Sequence, residues 1–483
     1  MLIEQFFLEG LGHQSYLVTD ESSHQAAVID PRRDIAIYLQ AAETAGARIV
    51  YVLETHVHND YVTGALELRE RTGATIANAT SAGLAYEHQG AHDGDRITMG
   101  SLTFAVLATP GHTPDHLSYA LYATGRESPT AVFTGGSMLV GNAGRTDLVS
   151  PGMTLTLTRD QYHSLRRLLE TLPDETLVYP THGAGSFCGA TTSGTPARRS
   201  TIGQERVASP AALADDEAEF VRQQIAGYGV YPAYYRYMSE INQIGPRILG
   251  GLPELAPLAP PQVRDNLAHG LPLIDGRQRR VFAQEHVPGA LNIELDESFG
   301  TYVGWVLPFN KPLMLLIEDA SGRREAVAQL IRIGYEQLRG HLDGGMDAWK
   351  GSGYPTASFD AITVNELDQR MRNNERLAVL DVRDEAEWET GHIPGAQHIH
   401  IGDLMQHLHE LPQDIPIATI CRSDHRAAIA ASIVAALGRE TIAVQRGGVT
   451  TWLRLQAQHA ADSSSDATAT MATHEGGPEH AHP

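Results

Sequence analysis

Two histidines two residues apart, in Thr55-His56-Val57-His58-Asn59-Asp60-Tyr61, follow directly on the apolar run Ile49-Val50-Tyr51-Val52-Leu53. Strand alternation sends residues i and i+2 to the same side, so imidazoles at this spacing can reach one cation. Asp60 lies within reach. Gly111-His112-Thr113 adds an imidazole after the strand-like Leu102-Thr103-Phe104-Ala105-Val106-Leu107, and Tyr179-Pro180-Thr181-His182-Gly183 places a fourth behind a further apolar run. His56, His58 and His112 are the expected metal ligands, since three neutral imidazoles suit zinc with an open fourth position. Two other outcomes stay open: His116, Tyr61 or Asp60 completes the ligand set, or the site is empty and its histidines are ordinary hydrogen-bonded polar groups.

A second chemistry stands near the other end of the chain. Ile417-Ala418-Thr419-Ile420 runs into Cys421-Arg422-Ser423-Asp424-His425-Arg426, and an Ala- and Ile-rich helix is expected from Ala427. Backbone N–H groups at a strand-to-helix turn can curl around a sulfur while the helix dipole favours an anion. Arg422, His425 and Arg426 add positive charge, so the thiolate is expected to be stabilised and the thiol reactive. Cys421, Arg422 and Arg426 are the expected catalytic residues, with Ser423, Asp424 and His425 binding substrate. The bland alternative is a buried, inert cysteine at a strand end.

The elements that must position these groups are α/β in pattern. Ala26-Ala27-Val28-Ile29-Asp30 reads as a strand, residues 35–45 as a helix, and Gly and Pro mark nearly every junction. Residues 189–210 read as an extended surface loop, 228–250 as the close of the first domain, and 250–261, with their repeated prolines, as a linker. Beyond it lies an internal repeat. Leu273-Ile274-Asp275-Gly276-Arg277 with His286-Val287-Pro288-Gly289-Ala290 answers to Leu380-Asp381-Val382-Arg383 with Gly391-His392-Ile393-Pro394-Gly395-Ala396, and Gly344-Gly345-Met346-Asp347-Ala348-Trp349 answers to Gly447-Gly448-Val449-Thr450-Thr451-Trp452. Asp381 and Arg383 are expected to anchor the fold. In the first copy Ile317-Glu318-Asp319-Ala320-Ser321-Gly322-Arg323-Arg324 puts Asp319 where a cysteine would stand, and a carboxylate cannot do the chemistry of a thiol. The expected partition is 1–249, 262–356, 361–458 and a disordered tail over 459–483, whose His474, His480 and His482 could bind a metal opportunistically.

Both repeats resemble rhodaneses, the sulfurtransferases in which a cysteine takes a sulfane sulfur as a persulfide and passes it to an acceptor. The six residues from Cys421 to Arg426 match that family's sulfur-sized loop. The first region resembles the metallo-β-lactamase fold, whose motif reads His-x-His-x-Asp-His followed by a distant His, Asp and His. The resemblance therefore implies an αββα sandwich followed by two rhodanese-like α/β domains. Within that fold, Thr109-Pro110-Gly111-His112-Thr113, Gly144-Arg145-Thr146-Asp147-Leu148 and Tyr179-Pro180-Thr181-His182-Gly183-Ala184-Gly185-Ser186 resemble the persulfide dioxygenases, including their bacterial fusions with rhodanese. That resemblance implies one ferrous ion held by two histidines and an aspartate, with sulfite and a free thiol as products of a persulfide such as glutathione persulfide. By position the ligands are His56, His112 and an aspartate that is missing here: Phe133-Thr134-Gly135-Gly136-Ser137 has Gly136 in its place, and Tyr61 replaces the last histidine of the first motif. Iron(II) is expected by resemblance, zinc is the alternative, and an empty site stays open. Arg145 is expected either to bind a substrate carboxylate bidentately or to brace its loop against Asp147.

Composition narrows the classes. A chain of 483 residues exceeds one ordinary core. Its net charge of −22 argues against nucleic acid and anionic membranes as partners. The N-terminus lacks a basic segment followed by an apolar stretch, so the cytoplasm is the default expectation. Two cysteines, Cys188 and Cys421, argue against a disulfide framework and for a reducing compartment, with Cys188 most simply a small packed residue. The expected partners are small-molecule thiols, persulfides, and thiosulfate or sulfite; homo-oligomerisation is open.

Overall fold

The computed structural model describes residues 1–189 and 197–459. The expected tail beyond His459, with His474, His480 and His482, lies outside the described residues, as does part of the expected loop at 190–196. Among the described residues no helix is long and apolar enough to cross a membrane.

The chain divides into two compact units, and the division does not follow the sequential partition expected from the repeats. The first unit takes Met1–Ala256 together with Leu295–Pro312 and Asp319–Arg339; the second takes Pro257–Glu294, Leu313–Glu318 and the remainder from Gly340.

The first unit holds two six-stranded sheets. One runs Leu2–Leu8, His13–Asp20, Gln25–Ile29, Arg48–Leu53, Thr75–Ala79, Gln89–Ala91 in that spatial order. The other is ordered Ser200–Thr201, Leu177–Pro180, Ala131–Gly135, Leu117–Tyr122, Leu102–Ala108, Arg96–Met99. The two-residue period of a strand sorts each sequence into two faces. Leu102, Phe104 and Val106 join Tyr16, Val18, Ala27, Ile29 and Phe133 in the core between the sheets. Leu17, Ala26 and Val28 turn the other way and pack with Tyr38, Ala41, Leu66 and Leu68 of the helices Ala36–Thr44 and Ala65–Thr72. On the far side Ala120, Val132 and Val178 pack with Leu165, Leu168 and Leu169 of the helix Thr154–Thr171. The result is the expected four-layered αββα sandwich. The stretch read as a loop to 210 is partly helical: Thr201 caps Ile202–Ala208 through a reciprocal pair with Gln204.

Two helices that follow the linker in sequence, Phe299–Val306 and Ala320–Arg332, also belong to this unit. Arg332 grips Asp34 bidentately at 2.6 and 2.8 Å, and its carbonyl accepts from the Val62 amide at 2.7 Å, beside the histidine motif. Arg33 pairs with Glu336 at 2.6 Å, Thr301 donates to the Gly10 carbonyl at 2.9 Å, and Tyr237 stacks on Phe309 at 4.3 Å.

The second unit contains most of two five-stranded sheets with matching strand order. The first is Pro257–Leu258, Leu338–Leu342, Leu313–Leu316, Leu273–Asp275, Leu291–Asn292; the second is Asp360–Ile362, Thr441–Val444, Ile417–Ile420, Ala378–Asp381, Gln397–His398. The prolines read as a linker instead open the helix Pro260–Ala268, where a missing N–H at the first turn costs nothing. Both copies place the same fork after the strand next to the central one: Arg277 on Asp275 at 2.6 Å and Arg383 on Asp381 at 2.7 Å. Arg383 also donates to the carbonyls of Glu387 and Gly391, which ties down the following turn as expected of an anchor.

Arg332 is 5% exposed, and truncating it leaves the largely buried Asp34 carboxylate with Arg32, whose Nε stands 3.2 Å away. Arg332→Ala should therefore destabilise the first unit by about 2–3 kcal/mol, seen as a drop in the midpoint of its chemical denaturation, whereas Arg324→Ala on the same helix should change it little.

Candidate functional sites

The strand Arg48–Leu53 stops before the motif begins, and this decides where the histidines go. Beyond it the backbone leaves strand geometry; the His56 and His58 rings stay 4.2 Å apart, but their ligand atoms fall into different groups. His56, His112 and His182 form one group whose ligand atoms lie within 4.8 Å of one another; His58, Asp60 and His182 form a second, and Asp30, Glu54 and His58 a third. The expected trio of His56, His58 and His112 thus does not share one centre. His182, noticed in the sequence but left out of that trio, takes the place of His58.

Hydrogen bonds define which nitrogens are available. The Thr55 hydroxyl donates to Asp30 Oδ2 at 2.7 Å, so it can only accept from His56 Nδ1 at 2.8 Å, and His56 Nε2 keeps its lone pair. His112 Nδ1 must donate to the Arg145 carbonyl at 2.7 Å, which leaves its Nε2 as the ligand atom. Neither Nε2 has a hydrogen-bond partner, and neither do the ring nitrogens of His182 or the carboxylate oxygens of Asp60; His182 Nδ1 stands 3.4 Å from Asp60. All are buried. Burial pushes the His112 imidazole down to about 3, and burial with the neighbouring imidazoles holds His56 well below the usual range, so both are neutral ligands at pH 7. Buried polar atoms without partners are costly, and a cation would satisfy these.

His58 has a different role. Its Nε2 lies 2.9 Å from Glu54 and 3.4 Å from Asp30. Burial opposes its charge, but the two carboxylates, Asp30 foremost, push it up to about 10, and it is held as an imidazolium. His58 thus stands among carboxylates, and the groups it joins are the one with Asp60 and His182 and the one with Asp30 and Glu54. Of the other candidates for compensation, Asp60 stands free beside His58 and His182, while His116 and Tyr61 are engaged. His116 Nε2 accepts from the Gly136 amide at 3.0 Å and its Nδ1 bonds Thr109 at 2.9 Å. The Tyr61 hydroxyl donates to the Asp30 carbonyl at 3.2 Å. At Gly136 a Cβ would lie 2.1 Å from His112 Cδ2, so no side chain fits there without moving that imidazole. His56, His112 and His182 therefore fit an all-imidazole centre, and the carboxylate implied at position 136 has no room; the set of two histidines with an aspartate that the residues do offer is His58, Asp60 and His182.

Arg145 is buried and used throughout: its guanidinium bonds Asp147 at 2.7 and 2.8 Å and the carbonyls of Phe187 and Gly229 at 3.2 and 2.8 Å, under Tyr228 and Tyr231. The bracing role is the one the geometry shows; four of the five N–H donors are taken, and the one left on Nη1 cannot hold a carboxylate bidentately. Cys188 is fully buried, and burial pushes its thiol well up.

Cys421 follows the strand Ile417–Ile420 and is 1% exposed. Its loop is held from beneath by Val449, whose amide donates to the Cys421 carbonyl at 2.9 Å. Gly448 is required there: a Cβ would stand 2.2 Å from the Cys421 oxygen and 2.4 Å from that of Arg422. The amides of Ser423 and Ala427 point at the sulfur, as the turn predicts. The expectation of a stabilised thiolate needs correction, because burial outweighs Arg426 and these amides and leaves the thiol pushed up. Arg426 is itself drawn aside by Glu387, at 2.6 and 3.0 Å. Arg422 and Ser423 are exposed at the loop's outer edge, with Asp424 and His425 half-buried behind them.

Strand register also corrects the first repeat. Asp275 pairs Leu316 as Asp381 pairs Ile420. The residue equivalent to Cys421 is then Ile317, while Asp319 caps the next helix through the Gly322 amide at 2.7 Å. An isoleucine carries no sulfur either, and the loop there is one residue shorter.

With this geometry described, comparison with known proteins places the chain. The metallo-beta-lactamase superfamily matches residues 8–182, and the rhodanese-like domain family matches twice, at 259–352 and 363–455. The mitochondrial persulfide dioxygenase ETHE1 of Homo sapiens is 32% identical over 225 residues, 46% of this chain and 80% of that protein. A probable metallo-hydrolase of Burkholderia pseudomallei (strain 1710b) is 30% identical over 216 residues, 38% of this chain and 72% of that protein. The crystal structure of a metallo-beta-lactamase from Staphylococcus aureus subsp. aureus COL aligns with a TM-score of 0.63 at 27% identity, covering 71% of this chain and 98% of that one. The chain belongs to the metallo-beta-lactamase superfamily, among the relatives of persulfide dioxygenase, and carries two rhodanese-like domains in the same polypeptide.

Proposed function

We propose that the chain is an enzyme of sulfur metabolism: Cys421 transfers sulfane sulfur as a persulfide, and the first domain oxidises a low-molecular-weight persulfide of the glutathione persulfide type to sulfite. The observation that carries this reading is the set of unpartnered, buried imidazole nitrogens on His56, His112 and His182, on one chain with a cysteine cradled by amides at a strand-to-helix turn. In the transfer the Cys421 thiolate attacks the outer sulfur of a donor such as thiosulfate. An enzyme S–S bond forms, the donor S–S bond breaks, and sulfite departs with the bonding electron pair. A thiolate or sulfite then attacks the outer sulfur of the Cys421 persulfide and releases the Cys421 thiolate, so the cycle is redox-neutral overall. Sulfite made by the first domain would be such an acceptor, with thiosulfate as product, and tethering raises its local concentration.

His56, His112 and His182 would hold the metal of the first domain. A bound iron(II) ion would supply dioxygen chemistry at its open positions. His58, as an imidazolium between Asp30 and Glu54, fixes the motif loop, while Asp60 offers a carboxylate beside His182. The resident metal is iron(II) in this reading.

The absent carboxylate favours a second reading for this domain alone. Three neutral imidazoles are the ligand set of a zinc hydrolase, with a zinc-bound hydroxide as nucleophile. Protein prepared with iron(II) and with zinc distinguishes the two. Oxygen uptake on glutathione persulfide by the iron form supports the oxidation; thioester hydrolysis by the zinc form, with no oxygen uptake by either, replaces it with the second reading.

Two variants test the assignments. Cys421→Ser should lower sulfur transfer from thiosulfate by at least about a thousandfold while leaving oxygen uptake in place. His182→Ala should weaken metal binding by at least about a hundredfold, measured by competition with a chromophoric chelator, and leave Cys421-dependent transfer unchanged.

A further inference from the structure

Asp424 stands at the N-cap of the helix His425–Ala436, yet its side chain accepts no capping hydrogen bond. A carboxylate at an N-cap ordinarily takes an amide two or three residues on. Asp216, Asp319 and Asp384 all do so in this chain, each taking the third amide of its helix. For Asp424 that third amide belongs to Ala427, which is left uncapped by the carboxylate and acts to lower the Cys421 thiol pKa. The Asp424 carboxylate is turned away to Arg279 of the first repeat, whose Nη1 reaches it at 2.6 Å. Arg279 is fixed in turn by Glu294 at 2.6 Å, and its carbonyl accepts from Gln445 Nε2 at 3.4 Å. Nearby, Ser432 of the same helix accepts from the Asn292 amide at 2.9 Å.

We propose that Arg279, supplied by the repeat that has no cysteine, is a positioning residue that holds Asp424 off the helix N-terminus and so keeps the Ala427 amide for the Cys421 sulfur. Without Arg279 the carboxylate rotates to its usual cap, occupies that amide and brings a negative charge up to the sulfur. Both changes disfavour the thiolate, which is the nucleophile. The charged groups around the loop are Arg422, Asp424, His425 and Arg426 on the loop itself, Glu387 and Asp384 on Arg426, His400 beside Arg426, and Arg279 with Glu294. Only Arg279 among them bonds Asp424 in this arrangement. The proposal rests on Cys421 as sulfur carrier, but its central measurement does not.

The test follows alkylation of Cys421 by iodoacetamide against pH in the full chain, read from the Cys421 peptide by mass. Arg279→Gln should move the thiolate profile upward by about one pH unit, equivalent to about tenfold slower alkylation at neutral pH. Arg279→Lys should fall between that variant and the parent. Adding Asp424→Ala to Arg279→Gln should restore the parent profile, a rescue that loss of packing would not give. A profile unchanged by Arg279→Gln, or an upward shift that Asp424→Ala fails to reverse, overturns the proposal. Should Cys421→Ser still transfer sulfur, the reading of Cys421 as carrier fails, while the alkylation series still decides the role of Arg279.

Discussion

Asp30 is the fixed point of the first domain. It ends the strand Gln25–Ile29 in a left-handed conformation (φ 49°) and is wholly buried. One carboxylate oxygen takes the Thr55 amide, the other takes the hydroxyls of Thr55 and Thr181, and His58 approaches at 3.4 Å. Its carbonyl accepts from Tyr61 and His13. Three separate strand ends thus converge on one residue. A charge buried so deeply is tolerated because every oxygen is hydrogen-bonded and an imidazolium stands beside it. The Thr55 contact then sets the tautomer of His56, so the availability of a ligand nitrogen is inherited from a carboxylate that touches no ligand.

The centre built on this anchor lacks the carboxylate that the resemblance to persulfide dioxygenases implies at position 136. Gly136 has no carboxylate, and the His112 ring lies where its Cβ would be. Tyr61 uses its hydroxyl on backbone, and His116 is saturated by Gly136 and Thr109. What remains is three imidazoles with Asp60 alongside, in a chain whose net charge is strongly negative. The sulfur site shows a related economy of charge: Arg426 is balanced by Glu387, Asp424 by Arg279, and the backbone amides are left facing the thiol.

Much of this was legible in the chain itself. Histidines placed at the ends of apolar runs identified the strand termini that meet, and the paired Asp275-Gly276-Arg277 and Asp381-Val382-Arg383 runs identified two copies of one fold with the same internal fork. Local rules failed where distance or a single backbone residue decided. His58 was assigned by alternation, but the strand ends at Leu53 and alternation ends with it. Ile317, not Asp319, matches Cys421, because the loop of the first copy is one residue shorter and only strand pairing reveals it. Arg145 and Arg426 are cations whose carboxylate or carbonyl partners absorb them, and Arg279 meets Asp424 across 145 positions of sequence. No motif announces such a pair.

The bond between Arg332 and Asp34 spans 298 positions, and the helix that carries it lies beyond the start of the first repeat. During synthesis, at about 5–20 residues per second, Asp34 and the Val62 amide wait about 15–60 seconds for their partners to emerge. The sandwich is therefore translated long before it can close, and its histidine loop is the part left waiting. The order of the polypeptide makes a helix within the first rhodanese-like match a late component of the first unit's own folding, so a ribosome stalled before it would release a chain that spans the superfamily match at residues 8–182 yet is unfinished.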